Sequence, residues 1–63
     1  MVVVRRTEGG ADLWFANDEL VMLNNALNEM CNGLDMLDTA FQTRVGWDRD
    51  ALRDLLAQIN SII

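Results

Sequence analysis

A chain of 63 residues is long enough for one small domain, although such a domain buries only about 60% of the surface that its unfolded chain exposes. The hydrophobic fraction of 51% disfavours disorder, and one cysteine with no histidine excludes an internal disulfide and disfavours a zinc site. Ten acidic residues against five arginines give a net charge of −5, which disfavours nucleic acid and favours a basic or neutral protein partner.

The first six residues place three valines before two arginines. This order is the reverse of a secretory signal, in which basic residues precede the apolar segment. No apolar run approaches the roughly 20 residues that a membrane-spanning helix needs. We therefore expect a cytoplasmic protein without a membrane role.

A β-hairpin is predicted over residues 2–16. The valines at positions 2–4 are β-branched, the segment 8–10 supplies turn chemistry, and an apolar run resumes at Leu13. Two strands alone are marginal in water, so we expect one face, with Leu13, Phe15 and valines of the first strand, to lie on the helices. The outer strand edges stay free to accept a strand from a second copy or from another protein.

A first helix is predicted over residues 18–32. Asn17 or Asp18 can cap its N terminus, because the side-chain oxygen accepts hydrogen bonds from unpaired amides of the first turn. Gly33 is expected in the left-handed conformation that closes a helix. Apolar residues recur at intervals of three and four along one stripe that faces the core, namely Leu20, Leu23, Leu27, Met30 and Leu34.

Two further helices are predicted, a short one over residues 35–45 and a longer one over residues 48–62. Gly46 suits a left-handed cap at the end of the first, and Asp48 suits the N-cap of the second. Trp47 directly precedes that N-cap. We therefore expect it to pack on the fourth residue of the last helix as a hydrophobic staple and to belong to the core.

Residues 35–62 resemble a helix-turn-helix. Its core and turn positions correspond to Phe41, Val45, Gly46, Leu52 and Leu55. The resemblance implies a DNA-binding transcription regulator, with Arg44, Arg49 and Arg53 contacting phosphates. The helix that would read the bases alternates aspartate with arginine and keeps an acidic excess, which opposes binding to phosphate. DNA binding is therefore the alternative function and not the preferred one.

Asparagines repeat every four residues along the first predicted helix, at Asn24, Asn28 and Asn32. Each costs a helix about 0.6 kcal/mol relative to alanine, so several together indicate a role other than helix formation. The amides can form a recognition surface, or they can bind nearby irregular backbone in the hairpin or the Gly33 turn. We favour the backbone role and keep Asn24 and Asn28 as candidate interface residues.

Trp14 is the best single candidate for a protein interface. Aromatic side chains at a surface often anchor interfaces. Trp14 alternates with Leu13 and Phe15 along its strand, so it faces outward if they face inward. The opposite register, with Trp14 buried and its neighbours exposed, stays open.

Catalytic and metal chemistry are not indicated by the sequence. Asp48, Asp50 and Asp54 lie near the start of the last predicted helix, but their spacing does not match a calcium loop. We interpret them as a solvated acidic face that attracts a basic partner. Cys31 has no histidine to activate it and is interpreted as a small apolar residue. We expect no enzymatic activity, no metal and no cofactor.

Together these patterns predict one α+β domain over residues 1–63, with an N-terminal hairpin packed on a three-helix unit whose last two helices resemble a helix-turn-helix. The preferred function is non-catalytic protein binding, as a small adaptor or as an inhibitor similar to an immunity protein or an antitoxin. The expected partner is a protein with a basic surface. The candidate interface residues are Trp14, Asn24, Asn28, Asp48, Asp50 and Asp54. A DNA-binding regulator and a structural subunit of a homo-oligomer, including a homodimer, remain the alternatives.

Overall fold

A computed structural model of the protein describes residues 1–33 and 36–63. Its elements in chain order are β1 (Val2–Thr7), β2 (Gly10–Trp14), α1 (Asn17–Asn28), a π-helical turn (Glu29–Gly33), α2 (Asp38–Val45) and α3 (Arg49–Asn60). The predicted fold class is confirmed: the protein is α+β, with a hairpin followed by three helices, and α2 packs against α3. Leu34 and the predicted start of α2 at Asp35 lie outside the described residues.

The two strands pair antiparallel around a tight turn at residues 8 and 9. The register shifts between Val3 and Arg5, so Val4 forms a bulge that locally twists the first strand. The paired residues are Val2 with Trp14, Val3 with Leu13, Arg5 with Asp12, Arg6 with Ala11 and Thr7 with Gly10.

The hairpin does not pack on the helices. Every residue of both strands is exposed, and among the described elements the packing contacts join strand to strand and helix to helix. The prediction that Leu13 and the valines lie on the helical core is therefore wrong, whereas Phe15, which follows β2, is half-buried. The physical reason is that the helical unit completes its own core, in which Cys31 and Phe41 are 0% exposed. The base of the hairpin is tied to α1 by the Met1 ammonium group, which donates to Oε2 of Glu19.

The first helix begins one residue earlier than predicted, at Asn17, with Ala16 as its N-cap. Ala16 has no side-chain acceptor, so the predicted capping by Asn17 or Asp18 is wrong. Glu19 provides the compensating interaction, because its Oε1 accepts from the Ala16 amide at 3.0 Å. This contact is the reciprocal half of a capping box.

The first helix ends in a π-helical turn and not in a glycine cap. Among the described residues only Gly46 has a positive φ, so the left-handed conformation predicted for Gly33 is wrong. The missing side chain of Gly33 instead leaves room for the Glu29 carboxylate, since a Cβ at position 33 would lie 2.5 Å from Oε1 of Glu29. The predicted stripe on α1 is otherwise confirmed: Leu27 is buried, and Leu20, Leu23 and Met30 are half-buried.

The junction between α2 and α3 has both predicted caps. Gly46 adopts φ 85° and donates its amide to the Gln42 carbonyl oxygen at 2.8 Å, and Oδ1 of Asp48 accepts from the Ala51 amide at 2.7 Å. Trp47 is 70% exposed, so its predicted place in the core is wrong. The junction is filled instead by Phe41, whose ring centroid lies 4.4 Å from the Arg49 guanidinium carbon.

Candidate protein-binding surfaces

The hairpin presents an apolar surface to solvent. We define the hairpin surface as Val2, Val3, Val4, Leu13 and Trp14, which are between 44% and 66% exposed. Cross-strand partners share a face and successive residues alternate, so Val2 and Trp14 lie on one face while Val3 and Leu13 lie on the other. Trp14 is exposed in agreement with its predicted position, but its neighbour Leu13 is exposed as well.

One arginine of the hairpin is paired with an aspartate of the opposite strand. Arg5 donates through Nε to Oδ2 of Asp12 at 3.2 Å, and its Nη2 lies 3.1 Å from the same oxygen. Both side chains are well exposed, so this pair contributes little to folding. The side-chain charges of the hairpin balance, with Arg5 and Arg6 against Glu8 and Asp12.

A cleft of about 280 Å³ lies between α1 and α3. We define this amide cleft by its lining residues, Asn24, Asn28, Arg53, Leu56, Ala57 and Asn60. The structure thus brings the two predicted asparagines together with the middle and end of α3, and not with the acidic start of that helix. Sequence reasoning missed Arg53 and Asn60 here, although their spacing from Leu56 by three and four residues places them on the same face of α3.

Hydrogen bonding within the asparagine row is local. Nδ2 of Asn32 donates to Oδ1 of Asn28 at 2.9 Å, and Oδ1 of Asn24 is buried without a hydrogen-bond partner among the described residues. The predicted bonds from Asn24 and Asn28 to the backbone of the hairpin or the Gly33 turn are not formed there. A buried unpaired acceptor destabilises the fold, so Asn24 has no evident structural benefit.

The acidic start of α3 is solvated, as predicted. Oδ1 of Asp48 is engaged as the N-cap, Asp54 is exposed, and Asp50 is exposed with its Oδ1 3.8 Å from Nη1 of Arg53. Because the hairpin does not pack on the helices, Trp14 and these carboxylates belong to separate surfaces of the molecule.

Arg49 holds the helical unit together, a role that sequence reasoning missed. Its Nη1 donates to the carbonyl oxygen of Cys31 at 3.1 Å, and its Nη2 donates to that of Met36 at 2.9 Å. Its Nε donates to Oδ1 of Asp38 at 3.2 Å, and the guanidinium covers the ring of Phe41. The side chain is 12% exposed. No signal in the sequence distinguishes Arg49 from the exposed arginines.

The described residues contain no cluster of three or more histidine, cysteine or acidic side chains that could hold a metal ion. Cys31 is fully buried. The pKa of Glu19 is lowered, first by its hydrogen bond from the Met1 ammonium group and then by the bond from the Ala16 amide. No helix of the described residues has the length and apolar character to cross a membrane.

Comparison of the chain with protein-family models, with curated proteins and with solved structures finds no match.

Proposed function

We propose that this protein is a non-catalytic protein-binding module and that the hairpin surface is its binding surface. The observation that supports this is the apolar hairpin that extends from the helical unit, with Trp14 57% exposed. Exposed apolar patches and surface tryptophans are features of protein interfaces. An adaptor, or an inhibitor of the immunity-protein or antitoxin kind, would use a small module in this way.

Charge favours a basic partner for the module. Side-chain charges balance over residues 1–14, while residues 15–63 carry eight acidic groups against three arginines. The helical unit therefore attracts a basic protein at long range, and the neutral hairpin makes apolar contact without a charge penalty. Attraction of this kind acts mainly on the association rate and weakens as salt is added.

The alternative of DNA binding loses support from the position of Arg49. That side chain was one of three arginines expected to contact phosphate, and its donors are engaged by Asp38 and by two carbonyl oxygens. Arg44 and Arg53 are then the remaining basic side chains of the α2–α3 pair. Two arginines form a small basic surface for a DNA-binding protein.

Trp14 and Trp47 provide a matched test, because both are exposed tryptophans but only Trp14 lies on the hairpin. Tagged wild-type, W14A and W47A proteins should be used to capture partners from a lysate of the source organism, before and after nuclease treatment. We expect a stoichiometric protein on the wild type and on W47A, and its loss on W14A. Equal capture by all three proteins, or recovery of nucleic acid alone before nuclease treatment, would contradict the proposal.

A further inference from the structure

The protein exposes more surface than a folded monomer of its mass. Monomeric proteins of 7.1 kDa expose about 4,100 Å², whereas this chain exposes 5053 Å². Its radius of gyration is 13.2 Å, against about 11 Å for a compact domain of this length. The excess of roughly 1,000 Å² is close to the ~800 Å² that each partner buries in a stable interface.

The hairpin contributes to this exposed surface, because all residues of both strands are exposed. An isolated two-stranded hairpin is marginally stable in water. This one has apolar side chains on both faces, with the pair Val2 and Trp14 on one and the pair Val3 and Leu13 on the other. A second apolar surface against either face would remove these side chains from water and stabilise the strands.

Charge identifies the partner that fits this surface. Two copies approaching through their helical units would repel, since residues 15–63 of each carry eight acidic groups against three arginines. Two hairpins meet without that repulsion, because Arg5 and Arg6 balance Glu8 and Asp12.

We propose that the partner of the hairpin surface is a second copy of this chain. The two hairpins pack together about a twofold axis through the face that carries Val2 and Trp14. The interface is therefore the same patch used twice. The inference rests on the proposed function, because it names the partner of the same surface; a second copy then takes the place of the basic protein at the hairpin, and a basic protein would be attracted to the acidic helical units. The helical units, with the amide cleft and the acidic start of α3, stay accessible in this dimer.

Sedimentation equilibrium of wild-type, W14A and W47A proteins over a wide concentration range tests the inference. We expect a dimer for the wild type and for W47A. We expect W14A to weaken dimerisation by at least about 100-fold, since a symmetric interface loses the side chain twice. Far-ultraviolet circular dichroism checks that the helices of W14A remain folded.

A second measurement does not depend on removing Trp14. In the W47F variant Trp14 is the only tryptophan, so its fluorescence reports on the hairpin alone. We expect its emission to shift to shorter wavelength as concentration rises, at the same midpoint as the change in mass. A dimer without this shift would overturn the hairpin interface.

The outcomes separate this inference from the proposed function. A monomeric wild type that still captures another protein through Trp14 overturns the second-copy partner and keeps the function. A monomer without Trp14-dependent capture overturns both. A dimer that W14A leaves intact also overturns the inference, and the capture experiment then decides the function.

Discussion

Replacing Arg49 by methionine removes the polar contacts that join α3 to the π-helical turn and to the segment that precedes α2. Two carbonyl oxygens, those of Cys31 and Met36, lose their donors. Hydrogen bonds to a charged group contribute about 1.5–3 kcal/mol each, and a cation over an aromatic ring adds about 0.5–2 kcal/mol. The ion pair adds little, about 0–1 kcal/mol, because Asp38 is 89% exposed.

These contributions overlap, so we expect R49M to lower the free energy of unfolding by about 3–4 kcal/mol. A domain of 63 residues has a total stability of about 3–9 kcal/mol. The variant should therefore lose between about a third and the whole of its stability. R49K keeps the charge but not the planar fork of donors, and we expect it to lower the free energy of unfolding by about 2 kcal/mol.

Urea unfolding followed by far-ultraviolet circular dichroism, at one protein concentration, measures these losses. The matched control is R53M, because Arg53 also lies on α3 but is half exposed, and among the described residues its ion pair is a 3.8 Å contact with Asp50. We expect R53M to change stability by less than about 0.5 kcal/mol. The reasoning is refuted if R49M and R53M lose the same amount, or if high salt abolishes the effect of R49M, since salt screens exposed ion pairs but not these carbonyl bonds.

Two further substitutions test the helix ends. The pKa of Glu19 is lowered, so the contribution of this carboxylate to stability is present above the ordinary value of 4.5 and is lost as pH falls through the folded-state value. The difference in melting temperature between wild type and E19Q should therefore shrink below pH 4.5, and a constant difference would contradict this assignment. G46A places a side chain at φ 85° and should lower the free energy of unfolding, measured by thermal denaturation, by about 1–2 kcal/mol. The control is G9A, where a Cβ meets nothing within 4 Å, and it should change stability by less than about 0.5 kcal/mol. Equal effects of the two substitutions would count against the left-handed cap.

Local signals in the sequence predict the elements of this fold. Gly46 and Asp48 act through their own backbone and the next few amides, so their capping roles follow from residue type and position alone. The apolar spacing on α1 likewise identifies Leu27 as a core residue. The sequence predicts the α1 side of the amide cleft, because the periodicity of a helix places Asn24 and Asn28 on one face.

Packing between elements is not predicted, because it depends on partners that are distant in the sequence. Trp47 fits a hydrophobic staple by position, but Phe41 and Arg49 fill the junction and Trp47 remains exposed. Arg49 has the same local surroundings as an exposed arginine on a charged helix, and only the approach of the Cys31 and Met36 carbonyl groups gives it a structural role. The hairpin was expected to cover the helices because two strands need a partner.

Two strands alone still benefit from a covering surface, although the helical unit does not provide that surface here. Among the described residues the helical unit buries Leu27, Cys31 and Phe41, while the strands bury none of their side chains. Pairing between the two strands alone stabilises a hairpin only marginally, so a surface outside the chain would add to the free energy that orders the strands. If that surface is a second copy, strand order and association are one equilibrium, and dilution should disorder the hairpin before it unfolds the helices. The helical unit, held by Arg49, would remain as the part that each copy presents to a further partner.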